Sequence, residues 1–210
     1  DTEPDTDDDD AEKERSDDSE SSDLYYNWDD RIIRTYGEGG GPEEYRKIQP
    51  NKKVPAIVHD GKVVIERAAI TIYLGDAFPE KGLAPAVGDP DRAAYISMLV
   101  YHDAVFDPVV CAKAKGLSYV SNDYPFGLYE DMVAYLERKL SENPWAAGER
   151  FTLADVIMGG GINYVMNVLK ALPERPVFRD YVARTTGRPA FKLTAERDAA
   201  MAAEIPALQK

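Results

Sequence analysis

Glu66 and Arg67 stand where a β-prone run gives way to a helical pattern, and a helix start is where unpaired backbone N–H groups attract anions. A guanidinium at that point has two readings, a bidentate partner for a carboxylate or a solvated side chain of the first turn. Just upstream, Val54-Pro55 is either a cis peptide that turns main-chain groups outward or an ordinary proline at a strand start. Thr152 and Asp155 have the spacing of a capping box, with Phe151 as its apolar staple, so their chemistry is structural. His59 and His102 lack companions at ligand spacing, and neither is assigned to a metal. Tyr95, Tyr101 and Tyr164 read as core aromatics or as the lining of an apolar substrate pocket. Cys111 is the single cysteine, which excludes an internal disulfide, a Cys-x-x-Cys redox pair and a cysteine-based zinc site; it reads as a small buried hydrophobe.

These residues belong to a chain of 210, with 44% hydrophobic residues for a buried core. No apolar run has the length of a membrane span, and no charged-then-apolar leader opens the sequence, so a cytoplasmic location is expected. The net charge of -13 is concentrated at one end. Residues 1–30 hold 15 of the 38 acids and 2 of the 25 bases, and the remaining 180 residues are balanced. A balanced body has no basic stripe for nucleic acid. Residues 1–23 carry too little apolar surface to offset their ordering entropy and are expected to be disordered.

The elements that position the candidates follow from periodicity. Residues 31–36 form a β-prone run ended by Gly37, and a short helical stretch is expected over 43–48. Residues 54–59 and 62–65 are strands joined at Asp60-Gly61, a two-residue hairpin signal. Ala69, Ile70, Tyr73, Leu74 and Ala77 then recur at helical spacing until Pro79. The Gly- and Pro-rich span 79–90 is the expected boundary, after which the pattern is helical throughout. Asp89 is expected to cap the next helix, with Pro90 in its first turn and Pro108 bending it. Further helices are expected around Leu128, Met132, Leu136 and Leu140, over 156–169, and over 177–186 with Gly187 closing it. Gly159-Gly160-Gly161 inside one of them marks either close backbone approach or a helix break.

Taken in order, Lys53-Val54-Pro55-Ala56-Ile57-Val58, Glu66-Arg67-Ala68-Ala69-Ile70 and Phe151-Thr152-Leu153-Ala154-Asp155 resemble the cytosolic glutathione S-transferases of the bacterial type. The resemblance covers roughly Arg31 to Ala203. It implies an α+β fold: an incomplete or atypical thioredoxin-like N-terminal domain over 24–80, then an all-α bundle over 90–210. It also implies a homodimer, detoxification chemistry, glutathione as co-substrate without a metal, and a small hydrophobic electrophile as the second substrate. Val54 and Pro55 would pair through the main chain with the cysteinyl unit of glutathione, Glu66 would hold its ammonium, and Arg67 stands where the family has a serine.

The resemblance fails at the start of the chain. The family places a first strand and helix there, with a Ser, Tyr or Cys between them that activates the thiol, whereas residues 9–11 are Asp9, Asp10 and Ala11. A carboxylate there would repel a thiolate and raise its pKa. The catalytic residue is therefore unassigned. The leading reading is a transferase conjugating glutathione to small electrophiles; the alternatives are a non-catalytic binding or scaffold protein of the same fold and an interaction protein that works through its acidic tail.

Overall fold

The computed structural model describes residues 41 and 43–204. The expectations for the acidic segment 1–23 and the β-prone run 31–36 lie outside the described residues. A 3-10 turn over Glu43–Lys47 leads to strand β1, Ala56–His59, which pairs antiparallel with β2, Lys62–Ile65, in the register Ala56↔Ile65 to His59↔Lys62. Asp60 and Gly61 both take positive φ, 50° and 70°, as a two-residue hairpin requires. Strand β1 starts two residues later than the apolar run, because Pro55 has no N–H for the ladder; the Val54–Pro55 peptide is cis. Helix α1, Arg67–Ala77, packs against both strands and ends before Pro79.

The span 82–91 has no regular structure but is pinned at several points. The Leu83 carbonyl accepts from Leu153 N–H, Arg92 bonds both oxygens of Asp76 and the Pro85 carbonyl, and Arg150 bonds Asp89 and Asp91. Asp89 does not cap the next helix. Its Oδ1 accepts from Asp91 N–H, and α2 begins two residues further on, Arg92–Tyr101. Nor is Pro108 a simple kink. A widened π turn, His102–Phe106, separates α2 from α3, Asp107–Ala114, and Asp107 N–H reaches back to the His102 carbonyl. The wider turn accommodates a proline that has no N–H to donate.

Helix α4, Tyr129–Glu142, buries Met132, Val133, Leu136 and Leu140. Helix α5, Leu153–Asn163, continues through a second π turn, Tyr164–Val168, and packs on α2 and on α6, Pro176–Thr186. Helix α7, Pro189–Ala203, follows after Gly187. Both α6 and α7 place proline in the first turn, where its missing N–H costs nothing. Tyr95, Met98, Leu99, Phe106, Met158, Ile162, Phe178 and Tyr181 form the centre of the core. Cys111 is exposed, contrary to its reading as a buried hydrophobe. At 3.6 residues per turn, the buried Val109, Val110 and Ala112 share one side of α3 and put Cys111 on the other.

The three glycines are helical, and two of them sit at close contacts. A Cβ on Gly159 would stand 2.7 Å from Thr185 of α6, and one on Gly161 would overlap the His102 ring, whereas Gly160 has nothing within 4 Å. Helix α5 starts three residues earlier than the apolar pattern suggests because Thr152 sets its beginning. The Thr152 hydroxyl accepts from Ala154 N–H at 3.2 Å, and Asp155 accepts from Thr152 N–H at 2.8 Å. Asp155 does more than close this box. It is fully buried and also accepts from Ala146 N–H at 2.7 Å, the Tyr181 hydroxyl at 2.8 Å and the Thr152 hydroxyl at 3.3 Å. Burial pushes its carboxyl above the usual carboxylate range, against the pull of those donors.

Two predictions follow from this packing, both read by urea unfolding. Gly160→Ala should be neutral or stabilising by up to about 1 kcal/mol, while Gly159→Ala and Gly161→Ala destabilise, since the buried side chains they meet cannot move freely. Thr152→Ala should cost about 1 kcal/mol, the ordinary value of a lost cap. Asp155→Ala should cost about 3–5 kcal/mol, because it strands several buried donors at once.

Candidate functional site

The residues singled out around the hairpin converge on one cleft of about 270 Å³. The segment before β1 supplies Gln49, Lys53, Val54 and Pro55; the start of α1 supplies Glu66 and Arg67; the turn between α2 and α3 supplies Asp103 and Asp107. Sites that enclose a whole small ligand run to roughly 300–1,000 Å³, so this one fits the head of a ligand whose remainder lies outside.

Each wall is held by its own interactions. Gln49 is buried, and its Oε1 accepts from the N–H groups of Asn51 and Lys53 at 2.7 and 3.2 Å, which folds the segment before β1. Its Nε2 donates to Glu66 Oε1 at 3.3 Å. Glu66 has φ 70° and ψ 123°, a backbone conformation rare for an L-residue and one that surrounding structure must maintain.

Arg67 is held by two carboxylates of its own chain, partners that neither of its sequence readings named. Its Nε and Nη2 donate to Asp103 Oδ1 at 2.8 and 2.5 Å, and Nη2 also donates to Asp107 Oδ2. Asp103 reaches further and accepts from Ala68 N–H at 3.0 Å, so it caps α1 from a different helix. Burial works against the Arg67 charge, but the bonds from Asp107 and Asp103 outweigh it and raise its pKa. Burial likewise pushes Asp103 up, yet the bonds from His102, Arg67 and Ala68 N–H hold its carboxyl below the usual range.

Behind Asp103 lies His102, 1% exposed, with Nδ1 at 3.3 Å from Asp103 Oδ1 and at 3.7 Å from Asp107 Oδ1. A carboxylate only accepts, so Nδ1 is the donor in that bond. Nε2 is buried beside Gly161 with no hydrogen-bond partner. His102, Asp103 and Asp107 bring potential metal-ligating atoms within 4.8 Å of one another. The Arg67 guanidinium already serves as the cation for both carboxylates, which disfavours a divalent ion between them.

The other candidates lie elsewhere. Tyr95 is fully buried in the core, Tyr101 packs on Tyr135, and Tyr164 is 53% exposed; none lines the cleft. His59 Nδ1 bonds the Tyr73 hydroxyl at 2.9 Å and fixes β1 to α1. Gln49, Asp103 and Asp107 had not been picked out from the sequence. The signal for the two acids was their i, i+4 spacing in an otherwise apolar run, His102-Asp103-Ala104-Val105-Phe106-Asp107.

The chain matches the family model of the glutathione S-transferase N-terminal domain over residues 28–82 and that of the C-terminal domain over residues 126–189. It belongs to the glutathione S-transferase family. Its relatives include Protein LigF of Sphingobium, 48% identical over 50 residues that make up 24% of this chain and 20% of LigF. Glutathione S-transferase F14 of Arabidopsis thaliana is 31% identical over 166 residues, 70% of this chain and 64% of that protein. The chain thus spans less than two thirds of the length of either relative. A sphingomonad glutathione S-transferase solved in complex with glutathione is 26% identical, covers 75% of this chain and 79% of its own, and superposes with a TM-score of 0.56. The glutathione S-transferase fold accounts for the architecture: a thioredoxin-like domain carrying β1, β2 and α1, then a helical domain. Among the described residues, no helix is long and apolar enough to cross a membrane.

The depressed Asp103 pKa fixes the sign of an acid effect. A carboxyl whose folded pKa lies below its unfolded value stabilises the fold above the ordinary carboxylate range, and that contribution is lost as pH falls through the folded pKa. Asp103→Asn should therefore lower the thermal midpoint at neutral pH, and the gap to the unmutated protein should narrow below about pH 4. A gap that stays constant down to about pH 2.5 would contradict this account of Asp103.

Proposed function

We propose that this chain is a glutathione transferase that conjugates glutathione, its co-substrate, to a small hydrophobic electrophile, with the cleft of Val54, Pro55, Glu66 and Arg67 as the glutathione site. The observation that carries the reading is the convergence of these four residues on one cleft in a chain of this family. Val54 is exposed and lines the cleft beside the cis Pro55 bond, and in this reading its main chain pairs with the cysteinyl unit of the ligand. Glu66 is the acceptor for a ligand ammonium, and Arg67 adds positive charge for a carboxylate. In this reading the thioredoxin-like domain spans 24–80 and the bundle 90–210. The protein works in the cytoplasm, as a homodimer, in detoxification, and without a metal.

One observation favours the second reading, a binding or scaffold protein without turnover: among the described residues, none that lines the cleft carries a hydroxyl or thiol to activate the glutathione sulfur. The position that would supply one falls in residues 1–30, outside the described residues.

Calorimetric titration with glutathione tests the site. Binding is expected, and Glu66→Gln should weaken it about ten- to hundredfold through the loss of a charge-assisted bond. Absence of binding in the unmutated protein would sink the assignment. Turnover is tested with a generic aromatic electrophile, by comparing this chain with one that carries an ordinary strand, Ser and helix in place of residues 1–30. A large gain in rate from the replacement would favour the second reading for the present chain; equal and substantial rates would favour the first.

A further inference from the structure

A second cleft, of about 220 Å³, lies between the end of α3 and the start of α4. Lys113 of α3 lines it, six residues past Asp107. That step is about 9 Å along a helix and about 240° around it, so this cleft belongs to a different side of α3 from the one that meets Arg67. Lys113 shares its side with the buried Val109, Val110 and Ala112. Its ammonium lies 4.8 Å from the centre of the Tyr129 ring. Among the described residues, the Lys113 side chain makes no ion pair and no hydrogen bond, and neither does that of Glu130, which lines the same cleft. The connection that builds the cleft, residues 115–128, is long for a link between packed helices, and an ordered loop of that length without regular structure is usually functional. Its own bonds order it. Gly116, with φ 66°, ends α3, and Leu117 N–H bonds the Ala112 carbonyl at 2.9 Å, which brings Leu117 into the cleft with Lys113. Asp123 accepts from Val120 N–H at 2.9 Å, and the Tyr119 ring stands edge-on to Tyr124 and Phe126, which stack on each other with centres 5.1 Å apart. The Tyr119 hydroxyl donates to the Gly127 carbonyl at 2.9 Å and the Tyr129 hydroxyl to the Ala171 carbonyl at 2.7 Å, so both rings that line the cleft are fixed and have their donor protons committed elsewhere.

We propose that this second cleft binds a single aromatic ring bearing one carboxylate. Size sets the first limit: the volume falls below the roughly 300–1,000 Å³ of sites for larger ligands, so it holds one ring and not a peptide helix. The walls set the chemistry. Tyr119 and Tyr129 offer ring surfaces against which an aromatic ring packs better than a saturated one of the same size, and Leu117 and Leu128 complete the apolar lining. Lys113 is the only cation of the lining, and its ammonium takes the carboxylate together with the Ser118 hydroxyl, which makes no hydrogen bond among the described residues. Glu130 disfavours a second negative charge on the ligand. The proposal does not depend on the glutathione reading, since no residue is common to the two clefts.

The test titrates the full chain with benzoate and follows amide shifts by NMR, which gives the affinity and the place of binding together. Shifts should concentrate at Lys113, Leu117, Ser118 and Tyr129. Benzamide, the neutral counterpart, should bind about fivefold more weakly, and cyclohexanecarboxylate, which keeps the charge without the aromatic ring, about threefold more weakly. Isophthalate, with a second carboxylate, should also bind more weakly than benzoate, and Glu130→Gln should reduce that difference. Lys113→Gln should abolish the preference for benzoate over benzamide, while Lys113→Arg keeps part of it. Each preference compares two ligands on one protein, so a general loss of stability does not move it. No binding of benzoate up to about 10 mM would overturn the proposal. Shifts centred on another part of the molecule, equal binding of benzoate and benzamide, or a preference unchanged in Lys113→Gln would overturn it as well.

Discussion

The Asp155 carboxylate, taken out of water and met by donors from three separate stretches of chain, is the interaction on which the helical domain depends. It accepts from the loop at Ala146, from the cap at Thr152 and from Tyr181 on α6. An isolated charge at that depth would be strongly unfavourable, and the surrounding donors offset part of its desolvation only in this arrangement. Asp155 therefore fixes where α5 starts and how α6 crosses it. Helix α5 in turn sets the positions of Gly159 and Gly161, and those two missing side chains let Thr185 and His102 come close. His102 supports Asp103, and Asp103 holds Arg67 at the cleft. A chain of contacts thus runs from the centre of the bundle to the cleft, each link a polar bond or a close approach at glycine.

The charged triad of Arg67, Asp103 and Asp107 is a different kind of constraint. It is only half-buried, so part of its Coulomb energy is screened by solvent, and its net value as a stabiliser is modest. Its geometric effect is larger. One carboxylate takes two guanidinium nitrogens and the Ala68 N–H at once, which ties the first turn of α1 to the helical domain in a single orientation. Arg92 with Asp76 provides a second tie near the other end of α1. The helix that carries Glu66 and Arg67 is therefore fixed at both ends by side chains from the bundle.

Features encoded by local rules were legible in the sequence. The Asp60-Gly61 hairpin, the helix that stops before Pro79, the capping box at Thr152 and the prolines opening α6 and α7 each depend on a few adjacent residues. That Val54, Pro55, Glu66 and Arg67 would be neighbours was legible as well, because a hairpin after Pro55 brings the chain back to the helix start. What was not legible depended on partners distant in sequence. Arg67 could be read as a ligand contact or as solvated, but its actual partners lie 36 and 40 residues away. Asp155 looked like one half of a local cap because Tyr181 lies 26 residues downstream. Cys111 was misread because a four-residue apolar window does not show which side of a helix faces out. The π turns were invisible too, since nothing in local composition distinguishes a helix that widens from one that does not.

The first of those π turns has a consequence for evolution by insertion and deletion. A π turn contains one residue more than an α-helical path of the same extent, and one residue corresponds to about 100° of rotation around the helix axis. Had the segment between Tyr101 and Pro108 been one residue shorter, every side chain beyond the gap would have swung by that angle relative to α2. Asp103 and Asp107 would then face different directions, and one guanidinium could not serve both. Chain length at this point, as much as the identity of the acids, decides whether an arginine can be held at the start of α1.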